Sequence, residues 1–178
     1  EMEIVGDCDS KEVIEKVTQL FGAWKAKEAY TSVQLPFPNL ESKPSSIETP
    51  DKAMAFYGTG TLFKLKNSDP DYPALMLADY MLGGGFLNGR VPNRLREKEG
   101  LSYGAGTFHE VSSYDEPAAL MGYAIYAPQN VAKIEAGFAE EIQKAVANGF
   151  TDAELKMAKE GLLKEREQTR AQDEELAA

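Results

Sequence analysis

At 178 residues, with 43% apolar and 10% aromatic side chains, the chain can bury a core and fits one domain, or one domain plus a piece of another. A formal charge of -10 argues against a nucleic-acid role, which needs a cationic face, and gives no attraction to an anionic membrane. The single cysteine, Cys8, cannot form an internal disulfide, and no apolar run approaches the ~20 residues of a membrane-spanning helix.

Glu3 to Gly6 reads as a short strand. Asp9 then caps a helix, with Glu12 placed as in a capping box; Val13, Val17, Leu20 and Phe21 share one face, and Gly22 is the stop. The opening looks like the middle of a strand and the end like an unfinished helix, so the chain reads as a piece of a longer protein. Residues 26–50 carry Pro36, Pro38, Pro44 and Pro50 with serines between them. Proline removes a donor and serine competes for backbone bonds, so no regular element is expected there. The expected organisation is a closing β-α unit over 1–25, a linker over 26–50, and a truncated α+β domain over 51–178.

After the linker, Ala53 to Phe63 is mostly apolar and reads as a long strand buried on both faces. Asp69 and Pro70 open a helix through about Leu82 whose Leu75, Met76, Leu77 and Met81 leave little polar face. Gly83-Gly84-Gly85 ends it. A short charged helix follows, with Pro92 tolerable only in its first turn, and stops at Gly100. Leu101 to Val111 and Ala118 to Ala127 read as antiparallel strands joined by Ser112 to Pro117. Pro128 starts a helix with Val131, Ile134, Phe138, Ile142 and Val146 in one stripe, and Asn148-Gly149 stops it. Thr151 with Glu154 is a capping box for the last helix. The order β-α-α-β-β-α-α predicts an α+β fold, an antiparallel or mixed sheet covered by helices.

One histidine, His109, cannot supply the two imidazoles of an HExxH or HxxEH zinc helix, so no metal ligand set is expected here. No GxSxG nucleophile motif is present. The glycine triplet follows a helix and lacks a Lys-Ser/Thr, so it reads as a flexible, closely approached backbone rather than a phosphate cradle. Period-2 counting puts His109 on one strand face with Tyr103, Ala105, Thr107 and Val111. Arg90 and Arg94 share a helical face while Arg96 points elsewhere; with Glu97 and Glu99 nearby, the bland reading is a solvated salt-bridge face. Arg96 and Tyr103 flank a helix-to-strand corner, a permanent cation with a fork of donors and a neutral hydroxyl. Such a pair suits a peptide carbonyl or an oxyanion, or is simply structural.

Gly83-Gly84-Gly85 through Arg90, then Arg94-Leu95-Arg96-Glu97-Lys98-Glu99-Gly100-Leu101-Ser102-Tyr103-Gly104, strongly resembles the C-terminal domain of M16 (pitrilysin/insulysin-like) zinc peptidases. Val5-Gly6-Asp7 with Phe21-Gly22 looks like the end of a preceding M16 domain, and Ala127-Pro128-Gln129-Asn130, Gly149 to Leu155 and Arg170-Ala171-Gln172-Asp173 fit the same pattern. The resemblance implies an inactive-type M16 domain whose parent binds zinc on an HxxEH helix in another domain or partner subunit. It implies that Tyr103 stabilises the oxyanion of a peptide substrate, that Arg96 holds a neighbouring carbonyl, and that Gly83, Gly84 and Gly85 border the substrate. It also implies an exported, periplasmic or secreted, parent. M16-like domains also serve as non-catalytic scaffolds or partner subunits, the alternative reading. Pro92, Phe86 and Asn88 depart from the residues usual at their positions in the family.

Overall fold

A computed structural model describes residues 2–33 and 35–172. The chain divides into two compact units, one of Glu1–Val33 with Leu163–Ala178, the other of Gln34–Leu162. In the first, helix α1 (Ser10–Phe21) begins as its sequence dictates: the Asp9 carboxylate accepts the N–H groups of Lys11 and Glu12, at 2.8 and 3.2 Å. Gly22 closes it with an N–H donated to the Thr18 carbonyl. Of the expected apolar face only Val13 and Val17 are half-buried, while Leu20 and Phe21 are exposed and Phe21 stacks on Trp24. The strand expected over 3–6 does not form. A strand needs a ladder, and no described segment pairs with these residues.

The second unit holds β1 (Ala55–Lys64), α2 (Tyr72–Asp79), α3 (Arg90–Pro92), β2 (Ser102–Val111), β3 (Pro117–Tyr126), α4 (Val131–Asn148) and the start of α5 (Asp152–Thr169). The strands form one antiparallel sheet in the order β1-β3-β2, with β3 central. The expected α+β fold is therefore the observed one. The expected double burial of the first strand is not. β1 lies at an edge and alternates, with Tyr57, Thr59 and Phe63 half-buried and Phe56 and Leu62 exposed. Its apolar character reflects one covered face and an apolar open one.

The core lies between the covered sheet face and the helices. Val91, Leu95, Ala124, Ile134 and Phe138 are sealed, and the Phe138 ring sits 5.2 Å from that of Tyr57. Gly122 makes room for Phe138, since a Cβ there would stand 2.8 Å from its ring edge. The stripe expected on α4 is right at its centre and wrong at its ends: Ile134 and Phe138 are buried, whereas Val131, Ile142 and Val146 are exposed. The buried face instead runs through Ile134, Gly137, Phe138 and Glu141, a rotation that sequence spacing alone does not reveal. Thr151 and Glu154 make the full reciprocal capping box: the Glu154 N–H donates to Thr151 Oγ1, and the Thr151 N–H to Glu154 Oε2. No helix among the described residues is long and apolar enough to cross a membrane.

Candidate functional site

The glycine triplet is where a helix meets a strand backbone to backbone. After α2 the chain widens into a π-helical turn over Tyr80–Gly84, and the Gly85 N–H reaches the Tyr80 carbonyl at 3.0 Å. A Cβ on Gly83 would lie 2.5 Å from the Thr107 backbone nitrogen and 2.8 Å from its hydroxyl, so only glycine permits this approach to β2. Gly83 and Gly85 are buried against the chain's own atoms, and Gly84 alone of the three is exposed. The close approach read from the sequence is thus real, and the element that approaches is β2.

A second corner carries Arg96 and Tyr103. Gly89 precedes α3, and Pro92 falls in its first turn, where a missing N–H costs no helical bond. The helix then widens into a π-helical segment over Asn93–Lys98. Gly100, at φ 60°, closes it; its N–H donates to the Arg96 carbonyl, and the Leu101 N–H donates to the Leu95 carbonyl at 2.8 Å. A β-bulge follows at once. Ser102 pairs with Tyr126 and Gly104 with Ile125, leaving Tyr103 without a partner in the ladder. The period-2 placement of Tyr103 with Ala105, Thr107 and His109 therefore fails, because the extra residue breaks the alternation. Tyr103 is 78% exposed and the Arg96 side chain 40%. No hydrogen bond or ring contact joins the two among the described residues. The Arg96 guanidinium lies over the Phe86 ring instead, 5.8 Å from its centroid.

The other two arginines are not on a solvated face. Arg90 makes a bidentate pair with Glu154, at 2.6 and 2.8 Å, and packs its guanidinium 4.5 Å from the Phe150 ring centroid. That pair holds the Glu154 carboxyl down at a pKa of about 2, the Arg90 hydrogen bond being the main cause. Arg94 is shared among Glu140, Glu141 and Glu99, which raises its own pKa, the Glu140 bond foremost. Arg90, Arg94, Glu99, Glu141 and Glu154 line a polar cleft of about 700 Å³. Glu99 was within reach of sequence reasoning, whereas Glu140, Glu141 and Glu154 are brought in only by the fold.

One cluster adds a distant carboxylate to the strand face that Thr107 and His109 share. Asp79, 5% exposed, accepts the Thr107 hydroxyl at 2.6 Å and meets His109 Nδ1 at 2.7 Å. The signal was present as a lone carboxylate inside an apolar helix. It ties the end of α2 to β2, beside the glycine turn. With a single imidazole in the whole sequence, this chain does not supply the two histidines that an HxxEH zinc helix requires. Among the described residues no group of three or more His, Cys, Asp or Glu is placed to hold a metal ion.

The family described as "Peptidase M16 inactive domain" matches residues 2–162. No curated protein gives a significant match. Among solved structures, a protease from Helicobacter pylori shares the fold at a TM-score of 0.76 and 15% identity over 97% of this chain and 42% of that one. The peptidase M16 inactive domain from Pseudomonas fluorescens gives 0.56 and 21% over 75% and 28%, and the periplasmic protease PqqL from Escherichia coli 0.63 and 14% over 97% and 19%. The chain thus spans less than half the length of each of these structures, and at such identities they speak for the fold alone. The family match over nine-tenths of the sequence says more: this chain belongs to the peptidase M16 inactive domain family.

Proposed function

We propose that this domain supplies substrate-binding groups to a zinc endopeptidase centre housed in another domain or subunit of its parent, and is inactive alone. The observation that carries the reading is the exposure of Arg96 and Tyr103 on either side of one rigid corner, Tyr103 lifted out of the ladder by the bulge. In this reading the Tyr103 hydroxyl donates to the oxyanion that develops on a peptide carbonyl. Arg96 donates from its fork to a neighbouring carbonyl and orients the chain. Gly83 and Gly85 are buried in the separate glycine turn, and in this reading only Gly84 can border a substrate. Zinc would be held by the HxxEH-bearing domain, not by residues of this chain. An exported parent is supported by the likeness to a periplasmic protease.

The test is Tyr103→Phe in the intact parent, which removes one hydroxyl from an exposed ring. A loss of roughly a hundredfold or more in kcat, with KM little changed, is expected for an oxyanion donor. A rate near that of the unmodified enzyme would take Tyr103 out of the chemistry.

A further inference from the structure

Phe86 has the only positive φ of any non-glycine residue among those described, at 53°. A bulky side chain in the left-handed region is strained, and such strain persists where the surroundings impose it and gathers at functional positions. Burial does not explain it, because Phe86 is 68% exposed. The turn does not need a ring either: the Asn88 N–H donates to the Gly85 carbonyl and the Gly89 N–H to the Phe86 carbonyl, bonds that any side chain would allow. The left-handed backbone does bring the ring beneath the Arg96 guanidinium.

Arg96 has little else to fix it. Its one ion pair among the described residues, with Glu97, is long at 3.6 Å and lies in solvent, and exposed pairs of this kind orient weakly. Arg90 and Arg94 are held firmly, but carboxylates occupy their donors. An aromatic face differs in kind. It attracts a guanidinium through its π electrons and leaves the in-plane N–H groups free. We propose that Phe86 is the positioning residue of Arg96: the strained turn presents a ring that aligns the guanidinium without using its donors, leaving them for a peptide carbonyl.

This inference rests on the substrate-binding role proposed for Arg96, and the test separates the two. In the chain itself, the Arg96 Nε–Hε resonance, assigned through Arg96→Lys, reports the contact. Phe86→Leu should move that resonance out of the ring current and drop its order parameter into the flexible range, below about 0.6. Phe86→Tyr should restore both. In the intact parent, Phe86→Leu should raise KM for a peptide about two- to fivefold with a smaller change in kcat. It should add nothing once Arg96→Ala is present. Phe86→Gly removes the backbone strain, so it should weaken peptide binding without lowering Tm, a split that a purely structural role would not give. If Arg96→Ala raises KM while Phe86→Leu leaves both KM and the resonance unchanged, the positioning role fails and the Arg96 reading survives. If Arg96→Ala leaves KM unchanged, both fail.

Discussion

Gly83→Ala tests the claim that the glycine corner is a packing device. The added methyl would stand 2.5 Å from the Thr107 nitrogen, 2.8 Å from its hydroxyl and 3.0 Å from the Gly106 carbonyl carbon. Two of those atoms are backbone and cannot swing aside, and β2 is pinned by its ladder, Thr107 opposite Gly122 and Gly106 opposite Tyr123. The helix end must therefore lift from the strand. That also loosens the Thr107–Asp79 hydrogen bond, 2.6 Å long in the native contact. Overpacking ordinarily costs 1–3 kcal/mol, and an obstacle made of backbone puts this change at about 3 kcal/mol. For a chain of this size that is a fall of about 6–12 °C in Tm. Gly104→Ala is the control on the same strand: nothing lies within 4 Å of its added methyl, and its φ is not left-handed. There the loss of unfolded-state freedom should stabilise by about 0.4–1 kcal/mol. Calorimetry or urea titration of the two variants reads the contrast. A Gly83→Ala loss under about 1 kcal/mol, or one matched by Gly104→Ala, would refute the backbone-to-backbone contact.

Acid should expose the Arg90–Glu154 pair. The Glu154 carboxyl, ordinarily near 4.5, is depressed to about 2 in the folded protein, so its contribution is whole above about pH 4.5 and is lost as pH falls toward 2. A shift of that size is worth about 3 kcal/mol at most, and partial exposure trims it to about 1–2 kcal/mol. Glu154→Gln should therefore lower stability at pH 7 by that amount and flatten its dependence on pH between about 4.5 and 2; an unchanged acid profile would sink the assignment. Phe138→Ala empties a site that is 1% exposed and fills the space above Gly122. The expected cost is about 3–5 kcal/mol in a urea titration, and a loss below about 1 kcal/mol would mean the core is not seated there.

What could be read beforehand followed local chemistry. The Asp9 and Thr151 caps, the Gly100 stop, the tolerance of Pro92 and the hairpin from β2 to β3 are short-range consequences of residue type, and each appears in the structure. What could not be read depends on distant partners. Glu154 reaches Arg90 across 64 residues of sequence, and Asp79 reaches His109 across 30, by contacts that exist only once distant elements have packed together. The face of Tyr103 was misjudged for a third reason. A bulge adds one residue to a strand, and no residue in Ser102-Tyr103-Gly104 announces it to a count that assumes strict alternation. The apolar content of β1 misled in a similar way, because an edge strand with an apolar open face looks like a central one when only composition is weighed.

The same bulge separates two demands that usually compete along a strand. Neighbours on β2 must satisfy either the core or the ladder, so most replacements there carry a folding penalty. Residue 103 answers to neither. Its side chain is a removable tip on a rigid mount, free to change identity while the platform beneath it stays the same. A replacement at this position therefore alters what the corner presents at its surface with almost no toll on folding.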